Sequence, residues 1–215
     1  MNHFFAHLSA NQFSGMIKLI IVIGLDLDLV FLLNSEYPLE DIGYVDKENK
    51  NIKIISYLGT DDKLLELSKC KSNKFIFGME HAKRKQEIIF KHNLNMINLI
   101  SKKTVINYTD IDRVGLIIQD FTFLSSVSSL GNFVKVNTGS QIHHNVEISD
   151  FVTIAPRVCI LGNVKIGKNT YIGAGAIVLP NLEIGENCIV GAGSVVTRNI
   201  PNSGKVKGNP ARLFE

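Results

Sequence analysis

The sequence predicts an α/β domain followed by a parallel β-helix built of hexapeptides, and three observations carry that prediction. From Ile118 an aliphatic residue recurs at every sixth position, through Leu124, Leu130, Val136, Ile142, Ile148, Ile154, Ile160, Ile166, Ile172, Val178, Ile184 and Val190 to Val196, without a slip. A helix asks for apolar spacing near 3.6 and a simple strand for 2, so a strict period of six means short strands wound into a triangular coil. Four residues after these positions the side chain is small or β-branched, as at Thr122, Val134, Ser140, Val152, Thr170, Ala176, Cys188 and Ser194, with Leu182 the bulky exception. Upstream of the repeat, apolar runs ending in Gly alternate with helical patterns, which is the signature of an α/β unit.

Taken in order, residues 1–15 lack the charged start and apolar run of a signal peptide and read as a disordered leader. Residues 16–107 form the α/β domain. Lys18 to Ile23, ending at Gly24, reads as a buried parallel strand, and Gly43 to Asp46 as the end of a second. Ile52 to Tyr57 is a minor third strand. Thr60, with Asp61 and Asp62 behind it, caps a helix carrying Leu64, Leu65 and Leu67. Lys74 to Gly78 is the next strand, Glu80 to His92 a helix that buries Ile88 and Ile89, and Met96 to Ile100 a last strand leading into the prism.

Residues 108–200 are the β-helix. Three hexapeptides close one coil, so residues 18 apart stack about 4.8 Å from each other, and the domain should hold four to five coils. Gly131, Gly167, Gly173, Gly185 and Gly191 directly follow inward aliphatics, and the expectation is that they supply positive φ at the corners. Residues 201–215 form a basic, turn-rich closing segment.

Composition excludes several classes. A net charge of +3 is too mild for a polynucleotide partner, and the basic run Lys83, Arg84, Lys85 falls on a helical pattern where it reads as a solvated face. Three widely spaced cysteines, Cys70, Cys159 and Cys188, argue against a disulfide framework and for a reducing compartment. The longest apolar stretch, Ile17 to Val30, is broken by Gly24, Asp26 and Asp28, so no membrane span is expected and the reading is a cytoplasmic protein.

His143 and His144 are the histidines of the β-helix. His144 lies beyond the corner on an outer surface, and imidazole is the side chain whose ordinary pKa suits a general base near neutral pH. Gly162 follows 18 residues later and therefore sits one sheet spacing above His144, where a missing side chain allows a ligand to approach a backbone N–H able to hold a carbonyl or oxyanion. Pro156, Ala174 and Ala192 form a second small-residue column suited to an extended pantetheine arm.

The segments His144 to Val146, Asp150 to Pro156, Gly162 to Gly167, Gly173 to Gly175, Gly191 to Val196 and Gly208 to Arg212 resemble the bacterial sugar acyltransferases. These include sialic acid O-acetyltransferases and N-acetyltransferases of UDP-4-amino sugars, and the similarity extends back through Gly24, Asp46 and Gly78. The resemblance implies a Rossmann-like N-terminal domain, a left-handed β-helix, a homotrimer with active sites between neighbours, and acetyl-CoA as donor, with no metal. It implies His144 as general base, with Thr153, Gly162, Ala174 and Ala192 on acetyl-CoA. It also implies that the turn after Gly24, including Asp26, together with Asp46, Lys47 and Gly78, holds the nucleotide sugar. Two positions depart from the family pattern. Asn145 stands where Asp or Glu usually follows the catalytic His, leaving a hydrogen-bonding partner without charge. The turn Gly24-Leu25-Asp26-Leu27-Asp28 has one Gly and two carboxylates where backbone N–H groups would meet a phosphate.

The expected function is direct transfer of an acetyl group from acetyl-CoA to an amino group of a UDP-linked sugar. Sugar O-acetylation and a non-catalytic nucleotide-sugar-binding scaffold are the alternatives. The UDP-glucosamine N-acyltransferases also place His-Asn-Val in a β-helix but take acyl carrier protein, whereas the Gly-Asn-Pro-Ala-Arg tail favours coenzyme A. A γ-type carbonic anhydrase needs three histidines at its zinc, which the pair His143 and His144 does not supply.

Overall fold

The computed structural model describes residues 19–106, 113–125 and 129–214; the leader 1–15 and the expected domain boundary at 107/108 lie outside them. The chain divides into two compact units between Ile97 and Asn98, ten residues before the boundary expected from sequence.

The first unit is a four-stranded parallel sheet. Strand β1 (Ile20–Ile23) is fully buried, as a run of four β-branched residues requires. It lies between β2 (Ile42–Val45) and β4 (Lys74–Phe77), with β3 (Ser56–Gly59) outside β2. Helix α1 (Leu27–Asn34) buries Leu29, Val30 and Leu33. Helix α2 (Leu64–Ser68) buries Leu64, while Leu65 is exposed and Thr60 heads a 3₁₀ turn over Asp61–Lys63 without capping it through its side chain. Helix α3 (Ala82–Lys91) buries Lys85 and Ile88.

The basic run on α3 is not the solvated face expected. Lys85 is buried with its ammonium over the Phe77 ring, and Arg84 makes two hydrogen bonds to Asp61, at 3.0 and 2.9 Å.

The second unit is the β-helix. Its two-residue strands stack into three parallel sheets with the expected 18-residue register, as in Ile142↔Ile160 and Ile148↔Ile166. Every aliphatic of the six-residue column from Ile118 to Val196 is at most 3% exposed. At about 1.5–3 kcal/mol for each fully buried aliphatic side chain, this column is the main stabilising term of the prism. The prism is longer than the repeat suggested. Leu99–Ile100 already pairs with Ile117–Ile118, and Val105–Ile106 with Phe123–Leu124. At the other end Ile200 bridges Ile184 and Lys205–Lys207 pairs with Ile189–Val190. The sheet through Gln141–Ile142 alone stacks six strands, against the four to five coils expected.

The glycine expectation was wrong in its reason. Positive φ falls on the third residue after the inward aliphatic, at Phe133, Asn145, Phe151, Asn163, Asn169, Asn181 and Asn187 and at Gly139, Gly175 and Gly193. The glycines directly after the aliphatic are there for close approach. A Cβ at Gly131 would stand 2.4 Å from the Asp150 nitrogen, and one at Gly167 or Gly173 would stand 2.6 Å from backbone nitrogen of the next coil.

Candidate functional site

The three faces of the prism differ in chemistry. The face carrying Gln141–Ile142 points Phe123, Cys159, Ile177 and Val195 outward, and at its edge Leu161 and Leu179 are partly exposed. The next face points Ser129, Glu147, Lys165 and Glu183 outward, with a Lys165–Glu147 ion pair at 3.2 Å. His144 stands on the corner between the apolar face and the charged one, and its side chain is exposed.

Local geometry fixes this corner. Asn145, next to His144, takes φ 58°, a conformation that Asn adopts more readily than most residues. Its Nδ2 donates to Asn163 Oδ1 at 2.9 Å, and Asn163 Nδ2 donates in turn to Asn181 Oδ1 at 2.8 Å, so three asparagines run up the corner as a ladder. Asn163 N–H donates to the His144 carbonyl at 3.0 Å. The structure therefore directs the Asn145 amide nitrogen along the ladder to Asn163. Gly162 is buried directly over the imidazole: a Cβ there would lie 2.5 Å from Cε1 and 2.6 Å from Nε2 of His144. The predicted stacking of Gly162 on His144 is thus present, and the group that approaches the glycine is the imidazole itself. His143 turns to the apolar face, edge-on to Phe123 with ring centroids 6.0 Å apart.

Ala174 and Ala192 stack above Pro156 as expected, tied by Gly175 N–H to the Pro156 carbonyl at 2.9 Å and Gly193 N–H to the Ala174 carbonyl at 2.8 Å, and all three are exposed. They do not share a corner with His144 within one chain. They occupy the opposite edge of the apolar face, next to the exposed Tyr171, Ile177 and Ile189. Thr153 lies on a third sheet, paired with Lys135 and Tyr171, and is buried. Cys159 is half-buried on the apolar face, and burial pushes its thiol up, away from the thiolate a nucleophile needs.

In the first unit Gly24, Asp26, Asp46 and Gly78 do come together, at the carboxyl ends of β1, β2 and β4. Both glycines are buried, and they serve close packing: a Cβ on Gly78 would lie 2.0 Å from the Gly24 carbonyl oxygen, while Gly24 has φ +78° with Met79 against it. Both carboxylates accept from nearby backbone amides. Asp26 Oδ1 accepts from Leu29 N–H at 3.1 Å as the N-cap of α1. Asp46 accepts from Leu25 N–H at 3.1 Å and from Lys47 N–H at 2.7 Å. The sequence predicts a poor phosphate turn, and in the structure its Leu25 amide already has an acceptor in Asp46.

Lys47 lines a cleft of about 860 Å³ in which the cations Lys83, Arg84 and Lys91 and the imidazoles of His81 and His92 are interleaved with the carboxylates of Asp61, Asp62, Glu80 and Glu87. Sequence reasoning missed this cleft, because its cations are scattered over two helical turns and a strand end. The N-cap of α3, His81, makes no side-chain capping bond, and the first turn of that helix carries no acid. Among the described residues no group of three or more His, Cys, Asp or Glu is placed to hold a metal, and no helix is long and apolar enough to cross a membrane.

The bacterial transferase hexapeptide (six repeats) family matches residues 163–198. No curated protein matches the chain. Several solved structures do. A variant of perosamine N-acetyltransferase from Caulobacter crescentus, in complex with CoA and GDP-perosamine, is 22% identical with a TM-score of 0.83, over 93% of this chain and 98% of that one. The acetyltransferase domain of PglB from Neisseria gonorrhoeae FA1090, in complex with acetyl coenzyme A, is 23% identical with a TM-score of 0.82, over 93% of this chain and 100% of that one. WeeI from Acinetobacter baumannii AYE is 25% identical with a TM-score of 0.83, over 92% of this chain and 100% of that one. The chain thus carries a bacterial transferase hexapeptide repeat over residues 163–198 and has the fold of these structures, a Rossmann-like α/β unit followed by a left-handed parallel β-helix.

Proposed function

We propose that this protein is an acetyl-CoA-dependent acyltransferase that acetylates an amino group of a nucleotide-linked sugar, UDP-linked on the sequence reading. The observation that carries the proposal is the exposed imidazole of His144, seated on the corner between an apolar face and a charged face. Support comes from two of the similar structures, the PglB domain in complex with acetyl coenzyme A and the perosamine enzyme in complex with CoA and GDP-perosamine. Two of those perosamine enzyme structures carry a replaced histidine.

In the proposed reaction the amine nitrogen attacks the thioester carbonyl carbon and His144 removes the proton from nitrogen. A backbone N–H of the same corner, with Gly162 the sequence candidate, holds the oxyanion. Collapse breaks the carbon–sulfur bond, and the CoA thiolate leaves with the proton from the imidazolium. The raised thiol of Cys159 argues against an acyl-enzyme detour. For the nucleotide we propose the cleft lined by Lys47, His81 and Lys83, whose wall also carries Glu80 and Glu87, because Asp46 already takes the Leu25 amide of the Gly24 turn and Asp26 the Leu29 amide.

The same reading makes the protein a homotrimer. Ile177 is 39% exposed and Ile189 42% exposed in the single chain, and a cyclic assembly of three prisms would cover this apolar surface. It would also bring the His144 corner of one copy toward the Ala174 and Ala192 edge of the next, two edges that one chain holds apart. Phe151, by contrast, needs no such cover: it is already buried and stacked on Phe133 at 5.0 Å.

The test is acetyl-CoA turnover, read as release of free CoA thiol, over a panel of UDP- and GDP-amino sugars and their hydroxyl counterparts, with His144→Ala as control. A fall in kcat of about 10² to 10⁴-fold with unchanged melting temperature is expected. Turnover confined to hydroxyl sugars would move the reading to O-acetylation. No turnover with any member of the panel would favour the scaffold.

A further inference from the structure

The second residue after each inward aliphatic is chemically free. From Asp120 to Ala192 this column holds residues as different as Asp120, Thr138, Pro156, Lys168, Pro180 and Glu186, so the turn itself imposes no side chain. Gly162 is the one glycine in that span of the column, and it is the residue directly above His144. Its backbone does not ask for glycine either, since its φ lies outside the left-handed region, unlike Gly175 and Gly193. What glycine supplies is space. A Cβ at position 162 would stand 2.5, 2.6 and 3.1 Å from Cε1, Nε2 and Nδ1 of the imidazole, all inside van der Waals contact. The ring is otherwise exposed, and Gly162 is buried against it.

We infer that Gly162 is a positioning residue for His144: its missing side chain admits the imidazole against the next coil and so fixes where the ring nitrogens stand. The inference rests on the reading of His144 as the base, and it assigns Gly162 to the base where the sequence assigned it to the donor. The asparagine ladder holds the backbone on both sides of the contact, through Asn145 below and Asn163 above. The ring, and not the coil, is therefore what a new methyl group would displace.

The experiment compares Gly162→Ala in the wild-type protein and in His144→Ala. In the wild-type background the substitution should shift the ¹³Cε1–¹H resonance of His144, lower the melting temperature, and reduce kcat about tenfold or more, because misplacing a reacting group by a fraction of an ångström to 1 Å is costly. The KM for acetyl-CoA should stay within about twofold, since the lost interaction belongs to the transition state. In the His144→Ala background the same methyl group fills vacated space, so neither the melting temperature nor the residual rate should change. An unmoved His144 resonance together with an unmoved kcat would overturn the inference. So would an acetyl-CoA affinity that falls equally in both backgrounds, which would return Gly162 to the donor. If His144→Ala alone leaves kcat intact, the base reading fails, while the resonance and the coupling of melting temperatures still decide whether Gly162 positions the ring.

Discussion

Replacing Asn145 by Asp adds a carboxylate beside His144 while disturbing little else, because of how the ladder is built. As it stands, amide donors point upward, from Asn145 to Asn163 and from Asn163 to Asn181. An Asp at 145 has no donor, but turning over the side-chain amides of Asn163 and Asn181 reverses the ladder: Asn181 then donates to Asn163 and Asn163 to the new carboxylate, and both bonds survive. Asp also tolerates the φ of 58° at this position. The expected cost in stability is within about 0.5 kcal/mol, in line with an exposed substitution. Two charges held about 5 to 8 Å apart in near-aqueous surroundings interact by about 0.5 to 0.8 kcal/mol by Coulomb's law, so a carboxylate on the neighbouring residue should raise the imidazole pKa by about half a unit. The charged imidazolium is the favoured form, so the acid limb of the profile moves to higher pH, and above it a stronger base preserves or increases the rate. The assay is kcat/KM for the acceptor from pH 6 to 9, with an NMR titration of His144 and thermal unfolding of Asn145→Asp alongside. An unshifted His144 titration would refute the electrostatic argument, and a large fall in melting temperature would refute the reversible ladder.

Three further outcomes follow from the geometry. Asp46→Ala strips the acceptor from the Leu25 and Lys47 amides, so it should destabilise the first unit by about 1–3 kcal/mol and weaken the nucleotide sugar, while acetyl-CoA binding measured by calorimetry stays as it was. Gly131→Ala pushes a methyl group into the Asp150 backbone and should cost about 1–3 kcal/mol in denaturant unfolding, whereas Gly175→Asn, with positive φ and open space, should be neutral or stabilising. Asp120 is held below the usual carboxylate range by its bonds to Lys103 and Ser101. Its contribution to stability is therefore present above the unfolded pKa and lost as pH falls through the folded one, and Asp120→Asn should separate from wild type at neutral pH and converge with it below about pH 4 in thermal unfolding.

The prism was legible because its rule is local and repeats: once Ile118 to Val196 point inward, Ile142 must lie under Ile160. It was read too short because Asp112 interrupts the column below Ile118, although Ile106 and Ile100 continue the period, and because four residues, not six, separate Val196 from Ile200. Helix α1 was missed since Leu-Asp-Leu-Val-Phe-Leu-Leu-Asn is apolar nearly all round, leaving Phe31 61% exposed and no clear stripe to recognise. The site was legible only where stacking decides it. His144 and Gly162 followed from the period, but the separation of Ala174 and Ala192 from His144 depends on which corner each column occupies. The jobs of Asp26 and Asp46 depend on hydrogen bonds that composition does not encode.

A stack of parallel coils is open at its end, and whatever pairs with the last coil can be another copy of itself. Residues 200–214 close that possibility at the carboxyl end. Ile200 takes the edge of one sheet, Lys205–Lys207 that of the second, and Arg212–Leu213 turns back antiparallel across it. On the third, Val195 N–H donates to the Gly208 carbonyl at 3.0 Å and its carbonyl accepts from Ala211 at 2.8 Å. Each terminal strand therefore ends against a segment that leaves the six-residue repeat, so the first coil of another copy meets no matching coil there on which to continue a fibre.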